Sequence, residues 1–352
     1  MSYASFTRRA FLGVASAAGA GAMLPPLAHG TDQGQPPAAR ASGTTRWAIG
    51  CHTRPFGTFR ASQANNPDYI LDSIKAAGFQ YADMVSAAPP GAGRGAQPAA
   101  SGAPSPTPRG GRGAPMEPEA LAALKQKLAA RGLNSNIASL PTAARGVPLE
   151  SAIATARRIV SNAHELGQKY VLNLGIEDEE RWIDWCKVLA DAAAFGHERG
   201  VKVVVKHHHG LNNTSLDLLA WTKQVNHPNF GIFVDPGNIV YYTGKDPVKQ
   251  TALIAPHVAG VVAKDCSGPH FMEREVGAPA FGAAVTGTGN PEVMIQFGTG
   301  KVDFPGLFKV LAAAGFRGPV MVEGTGVGAT LEETVVNARA NREFLEKIFA
   351  GL

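Results

Sequence analysis

Five short segments hold most of the reactive side chains: Cys51-His52-Thr53-Arg54, Lys206-His207-His208-His209-Gly210, Asp235-Pro236-Gly237-Asn238, Lys264-Asp265-Cys266 and Glu323-Gly324. Their residue types could build two kinds of centre. Asp235, Glu323 and His208 are donors of the sort that hold a divalent cation. Lys206 and Lys264 are ammonium groups that could balance the same two carboxylates and stabilise a developing oxyanion. Glu323 could act as the base that moves a proton from carbon. His52, Arg54 and Asn238 are suited to binding an anionic or hydroxylated substrate.

Each residue also has a plainer use. Asp235 before Pro236-Gly237 could only cap a turn, and Glu323 could be a solvated strand end. Three consecutive histidines cannot all face one way. If Val204 points into a barrel, Lys206 and His208 do as well, while Val205 and His207 point toward the helices. Cys51, Cys186 and Cys266 are too far apart for a C-x-x-C device, and nothing but residue type marks any of them as a nucleophile.

The elements that must position these residues follow a regular rhythm. Strand-length apolar runs are expected at Trp47–Cys51, Tyr81–Val85, Asn134–Ala138, Tyr170–Leu174, Val201–Lys206, Gly231–Asp235, Gly260–Lys264 and Val320–Glu323. Between them lie helical stretches at Pro67–Ala77, Pro118–Arg131, Leu149–Leu166, Asp178–Arg199, Ser215–Gln224, Val248–Ala255, Phe304–Ala314 and Leu331–Phe349. Several helices run into glycine (Gly78, Gly132, Gly167, Gly200, Gly315), the residue favoured just past a helix end. Eight β-then-α units predict a (β/α)8 TIM barrel, whose chemistry sits at the C-terminal ends of its strands. All five reactive segments fall there. No G-x-G-x-x-G follows the first strand, so no nucleotide cofactor is expected.

The chain has 352 residues, of which 45% are hydrophobic, and this excludes wholesale disorder. Three cysteines in so long a chain exclude a disulfide scaffold. Residues 1–30 read as a twin-arginine signal peptide, with Arg8-Arg9 ahead of the uncharged run Val14–Leu24 and a small-residue cut after Gly30. That run falls short of the ~20 residues a membrane span requires. Without Arg8 and Arg9 the net charge drops from +5 to +3. A nearly neutral, periplasmic or secreted protein is therefore expected, with no stable membrane insertion. Residues 31–45 read as a disordered leader and 46–352 as the barrel. Its low-complexity loop at 87–115 is nearly all Gly, Ala, Pro, Ser and Arg. Without an aromatic residue that loop does not suit nucleic acid; a lid over the barrel mouth is its functional alternative.

The chain resembles the xylose isomerase-like TIM barrel superfamily of sugar isomerases and epimerases, which also includes nucleases of the endonuclease IV type. The resemblance runs from about Trp47 to the C terminus. It is carried by Ile49-Gly50, Ile74-Lys75-Ala76-Ala77-Gly78-Phe79, Gly200-Val201-Lys202-Val203, Asp235-Pro236-Gly237-Asn238, Lys264-Asp265, Phe297-Gly298-Thr299-Gly300-Lys301-Val302-Asp303-Phe304 and Gly315-Phe316-Arg317-Gly318-Pro319 leading to Val322-Glu323. It implies a saccharide substrate and a divalent metal (Mn, Mg or Zn) held by Glu, Asp, His and Glu. Asp235 and Glu323 match that set, but Lys206 and Val262 stand at the other two positions. Either His208, with a loop residue such as His270, completes an altered site, or the protein works without that metal. The expected reaction is isomerisation or epimerisation by proton transfer next to a carbonyl or hydroxyl. A lyase acting on keto-glycosides and a non-catalytic sugar-binding barrel are the alternatives. A homo-oligomer is compatible with all of this; a nuclease lacks its richer His/Glu cluster.

The Arg8-Arg9 pair yields a direct test. Replacing both by lysine should leave precursor in the cytoplasm in a cell-fractionation blot, and mature protein still reaching the periplasm would overturn the signal assignment.

Overall fold

Short β-branched runs such as Val203-Val204-Val205 and Val261-Val262 suit strands buried on both faces, the condition of a parallel sheet covered by helices. The computed structural model describes residues 47–85, 114–269 and 291–352 and uses those runs in this way. Its strands are β1 (Ala48–His52), β2 (Tyr81–Asp83), β3 (Ile137–Ser139), β4 (Tyr170–Asn173), β5 (Lys202–Lys206), β6 (Phe230–Val234), β7 (Val258–Ala263) and β8 (Pro319–Val322). The helices are α1 (Tyr69–Ala76), α2 (Pro118–Ala130), α3 (Leu149–Glu165), α4 (Trp182–His197), α5 (Ser215–Val225), α6 (Pro236–Thr243), α7 (Pro247–Ile254), α8 (Phe304–Ala313) and α9 (Leu331–Ala350).

All strand pairs are parallel, in the order β2-β1-β8-β7-β6-β5-β4-β3. The expected TIM barrel is therefore present. Its inside is filled by Ile137, Leu172, Val204, Phe233, Val262 and Met321, which form a core of their own. Phe233 fits only because its neighbour on β7 is Gly260, where a Cβ would lie 2.3 Å from the ring. The opposite strand faces, including Val203, Val205, Ile232 and Val320, join Ile159, Leu189, Trp221 and Leu307 in the outer core. Side-chain alternation has thus sorted one strand into two cores.

Beyond shifts of a residue or two at strand ends, sequence expectation and structure differ at three places. β3 starts at Ile137, later than the expected Asn134, because Asn134–Asn136 belong to the irregular seam where the barrel closes. Only one isolated bridge, Tyr81 to Asn134, joins β2 to the β3 side, helped by the amides of Ala82 and Met84 bonding to Asn134 and Ile137. α6 was unanticipated, since Asp235-Pro236-Gly237 reads as a turn. Asp at the N-cap and Pro at the first helical position start a helix equally well. A 3₁₀ segment, Arg54–Arg60, follows β1. The segments 1–30 and 31–45, the insertion 87–115 apart from its last two residues, and His270 lie outside the described residues.

Asp83 holds the seam together. Its Oδ1 accepts the amides of Asn136 (2.8 Å) and Ile137 (3.0 Å) across the gap. Its Oδ2 packs on Gly50, where a Cβ would come within 2.1 Å. Burial lifts this carboxyl from 3.8 to about 7, against the lowering effect of the two amides. The fold therefore keeps the proton to about pH 7, while the unfolded chain releases it above 3.8. Between those limits the unfolded state binds fewer protons, so stability falls as pH rises and then levels off. Urea titrations from pH 5 to pH 8 should show this decline in the wild type and lose it in Asp83→Asn, whatever that change does to absolute stability. An unchanged slope would show that another group is responsible.

Candidate active site

The reactive segments meet at the C-terminal end of the barrel, around a cavity of about 690 Å³. Its lining includes His52, Arg54, Lys206, His208, Asn238, Lys264 and Glu323. Lys206 ends β5, while Asp235, Lys264 and Glu323 each follow directly on β6, β7 and β8. Adjacent parallel strands deliver these four side chains to one point, with a register shift between β6 and β7 at Ile232/Phe233.

There they form a cross-linked ion cluster. Lys206 Nζ donates to Asp235 Oδ2 at 2.8 Å and to Glu323 Oε2 at 2.6 Å. Lys264 Nζ donates to the same Asp235 Oδ2 at 3.1 Å and lies 3.0 Å from Glu323 Oε1. It also donates to Asn238 Oδ1 at 3.0 Å. Arg54 reaches Glu323 Oε1 from the pocket side at 2.9 Å. Both lysines are 2% exposed and Asp235 is wholly buried. Buried ions at such distances survive because each has its counter-ion and hydrogen bonds in place.

The local sequence explains the tightness. Asp235 divides its carboxylate: Oδ1 caps α6 by accepting the Asn238 amide, and Oδ2 faces the lysines. The capping role and the site role are therefore both real. Lys264 is gripped between two glycines, for a Cβ at Gly237 would lie 2.8 Å from its Cγ and one at Gly324 3.2 Å. Asp265 ties the loop after β7 by accepting the amides of Cys266, Gly298, Gly300 and Val302.

Electrostatics follow from this arrangement. Burial would raise Glu323, yet Lys206, Lys264 and Arg54 hold it well below the usual carboxylate range. Burial would strip Lys206 of its proton, but Asp235 and Glu323 prevail and raise it. Lys264 moves the other way: burial, with Lys206 and Arg54 nearby, outweighs the carboxylates and lowers it. His208 is driven well below its normal value by burial first and by the two lysines next, so it is neutral. Among the described residues nothing hydrogen-bonds its ring nitrogens. Its ring packs against His209 and Tyr242, with centroids 5.9 and 5.6 Å away.

Several sequence expectations are refined here. His207 faces outward, as alternation requires: its ring meets Ser215 and the Asp235 amide, and burial lowers it to about 3. Glu323, expected as a base, is an ionised carboxylate under three cations and has little affinity for a proton near neutrality. Asn238, expected to bind substrate, spends Oδ1 on Lys264 and Nδ2 on the His207 carbonyl. His52 turns Nδ1 to the Arg54 amide at 2.8 Å and so braces the loop that carries Arg54. The thiols of Cys51, Cys186 and Cys266 are free and raised by burial, which makes them poor nucleophiles. Tyr242 escaped sequence reading because it rides on α6.

A divalent metal does not fit these residues. Both ammonium groups stand between Asp235 and Glu323, and every oxygen of the two carboxylates already accepts a hydrogen bond or ion pair. A dication there would face two cations at once. Among the described residues no three His, Cys, Asp or Glu side chains converge as a ligand group, so His208, Asp235 and Glu323 do not form the expected metal set. Val262, at the expected histidine position, is buried in the inner core.

Residues 71–348 match the xylose isomerase-like TIM barrel family, and the chain belongs to it. A rhizopine catabolism protein from Rhizobium meliloti is 28% identical over 144 residues, covering 41% of this chain and 43% of that protein. The chain thus spans less than half the length of that curated relative. Among solved structures, a xylose isomerase-like TIM barrel protein from Mycobacterium smegmatis in complex with magnesium has a TM-score of 0.60 at 18% identity, covering 87% of this chain and 97% of that one. D-allulose 3-epimerase from Methylomonas sp. gives 0.57 at 16%, covering 86% and 98%. The probable 3-DHS dehydratase of petrobactin synthesis from Bacillus anthracis gives 0.58 at 14%, also covering 86% and 98%. At such identities the likeness is one of fold.

The cluster makes a stability prediction. Lys206→Met leaves Asp235 and Glu323 with one bridging ammonium and should destabilise the fold by about 3 kcal/mol in urea titrations. Wild-type stability in that variant would show that the lysine does not hold the carboxylates.

Proposed function

We propose that the protein is a sugar isomerase or epimerase that moves a proton next to a carbonyl or hydroxyl, with the lysine cluster in the role a metal would otherwise take. The observation that carries this reading is the Lys206–Lys264–Asp235–Glu323 lattice beneath a pocket of saccharide size. Removing a proton beside a carbonyl puts negative charge on oxygen, and fixed cations in a poorly solvated site stabilise that charge. Lys206 spends two of its three N–H groups on carboxylates, and the third is available to the substrate oxygen. Lys264 donates to Asp235 and Asn238 and ion-pairs with Glu323, so its part is to hold these three in place while adding positive potential.

By position the proton acceptor is His208, whose ring nitrogens no described residue engages. Burial and the two lysines make it a weak base, and negative charge developing on the substrate beside those lysines would offset part of that effect. Arg54 on the mouth side can hold a second substrate group. Glu323 and Asp235 act through the cations: without them the lysines would lose their protons or their geometry. A lyase reading uses the same first step, since a carbanion with a leaving group on the next carbon expels it. The fold shared with a dehydratase keeps that reading in view. Export through the twin-arginine segment, also part of the proposal, suits extracytoplasmic saccharides.

Deuterium uptake from solvent into a panel of aldoses, ketoses and keto-glycosides, followed by NMR, tests the reading. Exchange at one carbon should persist after exhaustive chelation. It should fall by roughly 10²-fold in Glu323→Gln and in His208→Gln, with folding retained in thermal melts. A new double bond instead of exchange would favour the lyase. Exchange of no panel member would favour a non-catalytic sugar-binding barrel.

A further inference from the structure

We propose that the saccharide taken by this pocket carries a carboxylate, seated on Arg54 with Lys206 beneath it; this rests on the reading of the pocket as a saccharide site. Charge at the floor is the first ground. Arg54, Lys206 and Lys264 are three cations against the two carboxylates of Asp235 and Glu323, which leaves one positive charge unbalanced within the cluster. An uncompensated charge at a partly desolvated site is unfavourable until a counter-charge arrives.

Placement is the second ground. The side chain of Arg54 is 23% exposed, against 2% for each lysine, so the surplus is presented where a ligand enters. Arg54 commits Nη1 to Glu323, and no described residue takes its Nε or Nη2. Those atoms, with the remaining N–H of Lys206, form a donor set suited to a planar carboxylate.

The rest of the wall supports this. Glu177 pairs with His209 at 2.9 Å, and Asp178 pairs with Arg145 at 2.5 Å. Arg181 is turned to the carbonyls of Ala143 and Ala144. Among the described residues an entering anion therefore meets no unpaired carboxylate at the rim, and then the neutral His208 beside Tyr242. The surplus is a single charge, which matches a carboxylate; a phosphate monoester brings between about 1.5 and 2.

Calorimetric titration of the purified full chain tests this with D-glucuronate, D-galacturonate and D-gluconate against D-glucose, D-galactose, sorbitol and glucose 6-phosphate. At least one sugar acid should bind roughly tenfold more tightly than its neutral counterpart. That preference should shrink with added salt, vanish in Arg54→Gln and survive in part in Arg54→Lys, with melting curves confirming that both variants fold. Equal affinity for acid and neutral sugar, tightest binding of the phosphate, or an acid preference that persists in Arg54→Gln would overturn the proposal. Binding of neutral sugars alone would remove this proposal and leave the saccharide reading standing. Binding of neither class would remove both.

Discussion

Two carboxylates cannot be brought together at the bottom of a pocket without positive charge between them, and here that charge comes from lysine side chains. Lys206 and Lys264 each touch both Asp235 and Glu323. The lattice joins the ends of β5, β6, β7 and β8 across half of the barrel mouth. Much else follows from it. Asp235 can cap α6 with its other oxygen, Asn238 is drawn to Lys264, and Arg54 is left facing the entrance. His208 is kept neutral by burial first, and next by the same two ammonium groups that hold the carboxylates charged.

The family fold and the floor of the site are separable in this protein. Strand order, inner core and the position of the mouth belong to the xylose isomerase-like barrel. The charge at the floor depends on a few side chains at strand ends. A metal can be exchanged and its ligands refilled, but an ammonium group is covalently fixed and needs only its stem packed. Gly237 and Gly324 supply that packing for Lys264. A lysine's charge is smaller than a dication's, and two lysines with an arginine restore the positive potential while presenting hydrogen-bond donors in fixed directions.

Much of this was readable from the chain because strands impose a period of two and end at known places. That rule brought Asp235, Glu323 and Lys206 to one mouth and turned His207 toward the helices. It could not reveal that Glu323 pairs with three cations, since this depends on where flexible side chains end. The carboxylate that looks like a base lies among three cations, and no described residue hydrogen-bonds the ring of the histidine that looks like a ligand. The orientation of Asn238 is hidden for a related reason: its amide is equally able to face solvent or a neighbour, and Lys264 and the His207 carbonyl decide. The seam at Asp83 was invisible because β2 and β3 lack a regular ladder, and a short polar stretch such as Asn134–Asn136 has no apolar pattern to place it.

The central claim is that lysine nitrogens fill the space between Asp235 and Glu323 where a metal ion would sit. Crystals soaked in Mn²⁺ and recorded at the manganese absorption edge would test it most directly. With both lysines in place there should be no anomalous peak between the two carboxylates, and the nitrogens should lie near the observed 2.6–3.1 Å from their oxygens. A strong peak bonded to both carboxylates, with Lys206 or Lys264 swung aside, would contradict it.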